Sequence, residues 1–109
     1  MTQFVHPSKK DITLTGVLGA LADNTRIMII YKMMAEEGCI SCVGASPCPD
    51  IAKSTLSNHF RILREAGLIR TTKKGVENQN TLRGEEIEER FPGLLKLIMK
   101  LAAKECTSR

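Results

Sequence analysis

A mainly α (α+β) fold, with about five helices and one two-stranded β-hairpin, is what this sequence predicts, and three observations carry the prediction. Apolar residues recur at the i, i+3, i+4, i+7 spacing of an amphipathic helix in three stretches, and at i, i+4, i+7 in a fourth. The segment from Leu68 to Leu82 has strand propensity on either side of a Lys-Lys-Gly turn. A length of 109 residues allows a single hydrophobic core, so residues 1–109 are expected to form one domain. Composition narrows the function as well. With 42% hydrophobic and 26% charged residues the chain is ordinary globular protein. One Tyr, three Phe and no Trp argue against an aromatic sugar platform or a base-stacking sheet.

The elements follow in order. Residues 1–11 read as an N-terminal arm, with His6 in a loose part of it. Leu14, Val17, Leu18 and Leu21 predict a helix over 12–22, interrupted by Asp23 and Asn24. Ile27, Ile30, Tyr31 and Met34, widened by Ile29 and Met33, predict a second helix over 25–37 with Gly38 as its stop. Residues 39–50, CISCVGASPCPD, hold two prolines and three of the four cysteines, so at most a short irregular helix is expected there. Leu56, Phe60 and Leu63, with Ile62 beside them, predict a third helix over 53–66, and Gly67 supplies its left-handed C-cap. Residues 68–72 and 78–82 form the hairpin around Lys73-Lys74-Gly75.

Glu85, Glu86, Glu88 and Glu89 suit the positive end of a helix macrodipole and read as a solvated helix start rather than as catalytic carboxylates. Pro92 can open a last helix over 92–104. That helix carries two apolar stripes: Leu94, Leu97, Ile98 and Leu101 on one, and Leu95, Met99 and Ala102 on an outward one. Two stripes imply two partners, the chain's own core and a second subunit. The order of elements is that of a winged helix-turn-helix: first two helices in 12–37, helix-turn-helix in 39–66, wing in 68–83, C-terminal dimerisation helix in 85–105.

Charge points to a nucleic-acid partner. The net charge is +4, yet residues 52–83 alone hold seven Lys and Arg against two Glu, which leaves the rest of the chain nearly neutral. A local basic surface gains counterion-release free energy on a phosphate backbone. The third helix begins with Lys53, Ser54, Thr55, Ser57 and Asn58, short hydrogen-bonding side chains plus one lysine, which let a helix approach base edges in a major groove. Arg61 and Arg64 farther along, and Lys73 and Lys74 at the hairpin tip, are placed to reach phosphates.

Three stretches of the chain resemble the arsenic-repressor-like (ArsR/SmtB) family of winged-helix regulators. Residues 20–27, ALADNTRI, are similar to the family's ALADPTRL opening. Residues 54–69, STLSNHFRILREAGLI, are similar to its STVSHHLRVLREAGLV, and the hairpin follows in the same place. The chain also resembles a branch of that family with an early His-Pro, here His6-Pro7, and an Arg-Phe-Pro-Gly-Leu-Leu run, here residues 90–95. The resemblance, over about residues 14–101, implies a homodimeric repressor whose first and last helices form the interface. It also implies release from a double-stranded DNA operator by a metal ion or thiol-reactive signal. Ala52 stands where the family has a capping serine, Asn58 replaces the first histidine of its pair, and residues 78–82 lack the aromatic common on the wing's return strand.

The candidate sensor thiols are Cys39, Cys42, Cys48 and Cys106. Three of them in C-x2-C-x5-C spacing suit a soft metal ion, a disulfide or a persulfide, and equally suit buried filling under a short helix. A closed zinc site needs Cys106 or His6 to join the trio, and no spacing secures either, so the metal stays unknown. The family's arsenic sensors carry Cys-Val-Cys at a different spacing, and the Asp and His ligands of its zinc sensors are absent from residues 92–109. His59, beside the apolar Phe60 and Leu63 positions, reads as a hydrogen-bonded helix histidine rather than a ligand.

No apolar run approaches the ~18 residues of a membrane span, and residues 1–11 lack a signal-peptide core. A cytoplasmic protein without a membrane partner is therefore expected. The expected function is a sequence-specific DNA-binding transcriptional regulator, not an enzyme. Two alternatives stand beside it: a thiol-redox protein using Cys39 and Cys42, and a winged-helix protein-interaction module that never touches DNA.

Overall fold

The computed structural model describes residues 6–35, 39–41, 52–75 and 77–107. A short 3-10 turn at Lys9–Asp11 leads into helix α1 (Leu14–Ala20), followed by α2 (Asn24–Ala35), strand β1 (Cys39–Ser41) and α3 (Lys53–Glu65). Strands β2 (Ile69–Lys74) and β3 (Glu77–Leu82) make the hairpin, and α4 (Gly84–Arg90) and α5 (Leu94–Thr107) complete the fold. The mainly helical winged helix-turn-helix reading holds, with one addition. Residues 39–41 are a strand rather than irregular helix, paired antiparallel with β3 so that Cys39 faces Thr81 and Ser41 faces Gln79. The sheet order β1-β3-β2 leaves β2 at an edge.

Two helices begin on a capping side chain. Thr13 Oγ1 accepts from the Gly16 amide at 3.0 Å and caps α1. Asp23, expected only to break the first helix, accepts from the Arg26 amide through Oδ1 at 3.2 Å and so starts α2. Ala52 caps α3 with no side-chain bond. A missing cap costs about 1 kcal/mol, whereas burying Leu56, Phe60 and Leu63 gains about 1.5–3 kcal/mol each, so packing decides that α3 forms.

The core comprises Ile12, Val17, Ala20, Leu21, Ile29, Ile30, Met33, Leu56, Phe60, Leu63, Leu68, Ile69, Ile87, Leu95 and Met99. Helix α3 packs on α1, α2 and β2, while α2 also meets β3 and α5. Two predicted faces are corrected. In α2 the buried face is Ile29, Ile30 and Met33, with Tyr31 and Met34 exposed, because the helix is held from several sides at once. In α5, Leu95 and Met99 are 5% and 6% exposed and belong to the chain's own core, whereas Leu97 and Leu101 are 56% and 53% exposed. The outward stripe is therefore Leu97 and Leu101. Helix α5 also starts at Leu94, not Pro92, because Gly93 adopts φ +79° and breaks the helix there.

His6 and Pro7, expected in a loose arm, are held. His6 Nε2 accepts from the Thr71 amide at 3.0 Å, and Pro7 O accepts from Arg83 Nη1 at 2.8 Å. Ile12 O accepts from Arg90 Nη2 at 2.7 Å. Gly67, at φ +88°, lies beneath this segment: a Cβ there would sit 2.5 Å from Ile12 Cγ1 and 3.3 Å from Pro7 Cγ. Glycine is needed both for the turn and for the close approach.

Candidate nucleic-acid interface

Helix α3 is two-faced. Leu56, Phe60 and Leu63 are buried, and Lys53, Ser54, Thr55, Ser57, Asn58 and Arg61 are exposed on the other side. Arg61 Nη2 donates to Asn58 Oδ1 at 2.6 Å, and its Nη1 lies 3.4 Å from Glu65 Oε1. Exposed pairs of this kind contribute little to stability, so Arg61 can exchange Glu65 for a phosphate without a large loss. Its bond to Asn58 orients that carboxamide along the polar face.

Arg64 sits differently. It is half-buried, and its Nη1 lies 3.5 Å from Thr71 Oγ1 on β2, which turns it toward the hairpin. Lys73 is exposed on β2, paired across the hairpin with Asn78, and Lys74 pairs with Glu77. Both lysines are strand residues, so the turn proper begins at Gly75. The structure thus places the exposed polar face of α3 and the basic hairpin in succession, joined by the tight turn at Gly67.

Several supporting contacts were not legible in sequence. Arg26 Nε donates to Ala20 O at 2.5 Å, and its Nη1 lies 3.2 Å from His59 Nδ1, which ties the α1–α2 corner to α3. His59 is the hydrogen-bonded helix histidine the sequence predicts. In the sheet, Thr71 Oγ1 donates to Asn80 Oδ1 at 2.8 Å, and both residues are buried. Arg83, 5% exposed, holds Glu86 with two bonds of 3.0 and 2.7 Å. That hydrogen bonding, more than the charge alone, keeps the Glu86 carboxyl below its ordinary range. The His6 ring is held below its ordinary value first by partial burial and then by the charges of Arg70, Arg64 and Arg83. For Thr71 and Asn80 the sequence signal was polarity inside a strand.

Of the candidate sensor thiols, Cys39 falls in β1 and Cys106 in α5, while Cys42 and Cys48 lie outside the described residues. Among the described residues no three His, Cys, Asp or Glu side chains cluster as a metal site. An open groove of about 650 Å³ runs past Met34, Arg70 and the Arg83–Glu86 corner, away from the exposed face of α3. No described helix is long and apolar enough to cross a membrane.

Comparison with known proteins matches this geometry. The sequence pattern of bacterial regulatory proteins of the arsR family fits residues 50–71, which include all of α3. The uncharacterized HTH-type transcriptional regulator YceK of Bacillus subtilis is 33% identical over 82 residues, 75% of this chain and 82% of that protein. A relative in Halobacterium salinarum, provisionally named an arsenical resistance operon repressor, is 38% identical over 76 residues, 66% of this chain and 57% of its own length. The crystal structure of an ArsR family transcriptional regulator superposes with a TM-score of 0.63 at 22% identity, covering 96% of this chain and 99% of that one. The chain belongs to the ArsR family of DNA-binding winged helix-turn-helix transcriptional regulators.

Proposed function

We propose that the chain acts in the cytoplasm as a homodimeric repressor, with α3 in the major groove of an imperfect palindrome and the β2–β3 wing on the flanking backbone. The carrying observation is the division of α3 into a buried apolar face and an exposed face of Lys53, Ser54, Thr55, Ser57 and Asn58. Short polar side chains at the N-terminal half contact base edges, and Arg61 and Lys73 contact phosphates. Arg64 approaches Thr71 and acts at the junction of helix and wing. A two-fold dimer through α1 and α5 sets the two α3 helices about 34 Å apart, one turn of DNA. Exposed Leu14 and Leu18 on α1, with Leu97 and Leu101 on α5, supply apolar surface for it.

Selection from a random duplex library tests this reading. Enrichment of an imperfect palindrome supports it, and enrichment of no sequence contradicts it.

The cysteine segment is read as a thiol or soft-metal input. Cys39 pairs with Thr81 on the strand that forms the wing, so ligation or oxidation there bears directly on wing geometry. Arsenite, Zn(II), persulfide or diamide should weaken operator binding by about 5- to 150-fold, the usual allosteric range. A Cys39→Ser, Cys42→Ser, Cys48→Ser variant should not respond; a response equal to the parent's makes these cysteines structural.

A further inference from the structure

The N-terminal arm makes a contact that DNA binding does not by itself require. Strand β2 is an edge strand, and Thr71 is only 3% exposed, so an amide turned away from β3 has little access to water. His6 Nε2 fills that need at 3.0 Å across 65 residues of sequence. An acceptor at Nε2 means the single ring proton is on Nδ1 and the ring is neutral. Thr71 is also a junction. Its hydroxyl donates to Asn80 on the other wing strand, and Arg64 of α3 approaches the same oxygen. Pro7, next to His6, is held by Arg83 and covers Gly67 in the turn from α3 to β2.

We propose that His6 is a positioning residue for DNA binding: in its neutral form it accepts the edge amide of Thr71 and sets the wing against α3, so protonating it loosens the grip on DNA. The inference rests on the DNA-binding role and adds to it a residue that touches no nucleotide.

Protonation converts Nε2 into a donor that faces the donor N–H of Thr71, and the contact becomes repulsive. The charged groups around the ring oppose protonation further. Arg64 of α3, Arg70 of β2 and Arg83 after β3 all bear on it. The carboxylate in this corner, Glu86 of α4, is bonded to Arg83 and lies 3.7 Å from Arg70. The hydrogen bond is therefore complete above the ordinary histidine value of 6.5 and disappears as pH falls through the lower value of the folded state.

The test uses fluorescence anisotropy on a duplex of the selected operator from pH 8 to pH 5, at fixed ionic strength. The chain has a second histidine, His59, so each profile is compared with that of His6→Gln. Glutamine keeps an acceptor and does not titrate. Loss of one hydrogen bond predicts wild-type affinity falling about 3- to 10-fold more than that of His6→Gln over this range, with the two proteins equal at pH 8. His6→Ala should be weakened by a similar factor at pH 8. Parallel profiles for wild type and His6→Gln overturn the proposal. In the free wild-type protein, the Thr71 amide resonance should shift with the His6 ring titration, and an amide that ignores it also overturns the proposal. Wild type that fails to bind DNA at any pH defeats the DNA-binding role itself, whereas binding with no His6-dependent pH profile defeats only the positioning role.

Discussion

At the scale of single residues, Gly67 and Gly93 separate two costs that sequence alone merges. Both have positive φ, +88° and +79°, but a Cβ at Gly67 meets Ile12 and Pro7 while one at Gly93 meets nothing within 4 Å. Gly93→Ala should therefore cost about 1–2 kcal/mol from the left-handed conformation alone, and Gly67→Ala about 1–3 kcal/mol more from the added clash. Urea denaturation of both variants measures the difference, and equal costs would mean the arm over Gly67 yields freely. Gly67 was legible because a glycine after an amphipathic run has a local meaning. His6 on Thr71 and Arg26 on His59 were not, since each partner is set by how distant elements pack. A lone histidine beside a proline carries no local sign of what it meets.

Among the elements, α3 was the most legible, because its apolar period and its polar face lie in one continuous stretch. Strand β1 was the least: three residues at the start of the cysteine- and proline-bearing segment become a strand only because β3 offers an edge. Helix α2 is intermediate. Its period predicts a helix, but neighbours on several sides choose which of its many apolar residues are buried. Two predictions belong here. Asn58→Ala, on the exposed face of α3 and bonded to Arg61, should relax base preference at one position of each half-site by about 1–3 kcal/mol, while leaving non-specific affinity nearly unchanged. Binding to single-base operator variants checks it, and a uniform loss across all of them would move Asn58 to backbone contact. The second concerns the start of α4. Glu86 has its carboxyl depressed below the ordinary 4.5 by Arg83, so its stabilisation is complete above that value and disappears as pH falls through the lower folded value. Glu86→Gln should be less stable than wild type at pH 7, and the gap in urea midpoint should close on acidification below 4.5. A gap independent of pH would assign the loss to packing.

For the whole molecule, the legible part was the architecture; which stripe of α5 faces the chain's own core was not. Leu95 and Met99 face the chain's own core, so charge there unfolds the protein, whereas Leu97 and Leu101 are exposed and can meet a second subunit. Leu97→Glu with Leu101→Glu should sediment as a folded monomer with native circular dichroism and operator affinity reduced at least tenfold, because one half-site forfeits the other's contribution. A dimer that survives the double substitution places the interface elsewhere. The dependence of operator affinity on salt tests whether α3 and the wing bind a DNA backbone. A dimer that neutralises about eight phosphates predicts a slope of log K against log salt near −7. With Lys73→Ala and Lys74→Ala in both subunits, the slope should flatten by about one unit for each phosphate that is no longer neutralised, with the preferred sequence unchanged. A slope near zero, or one that the lysine substitutions leave untouched, would mean that α3 and the wing do not bind a DNA backbone.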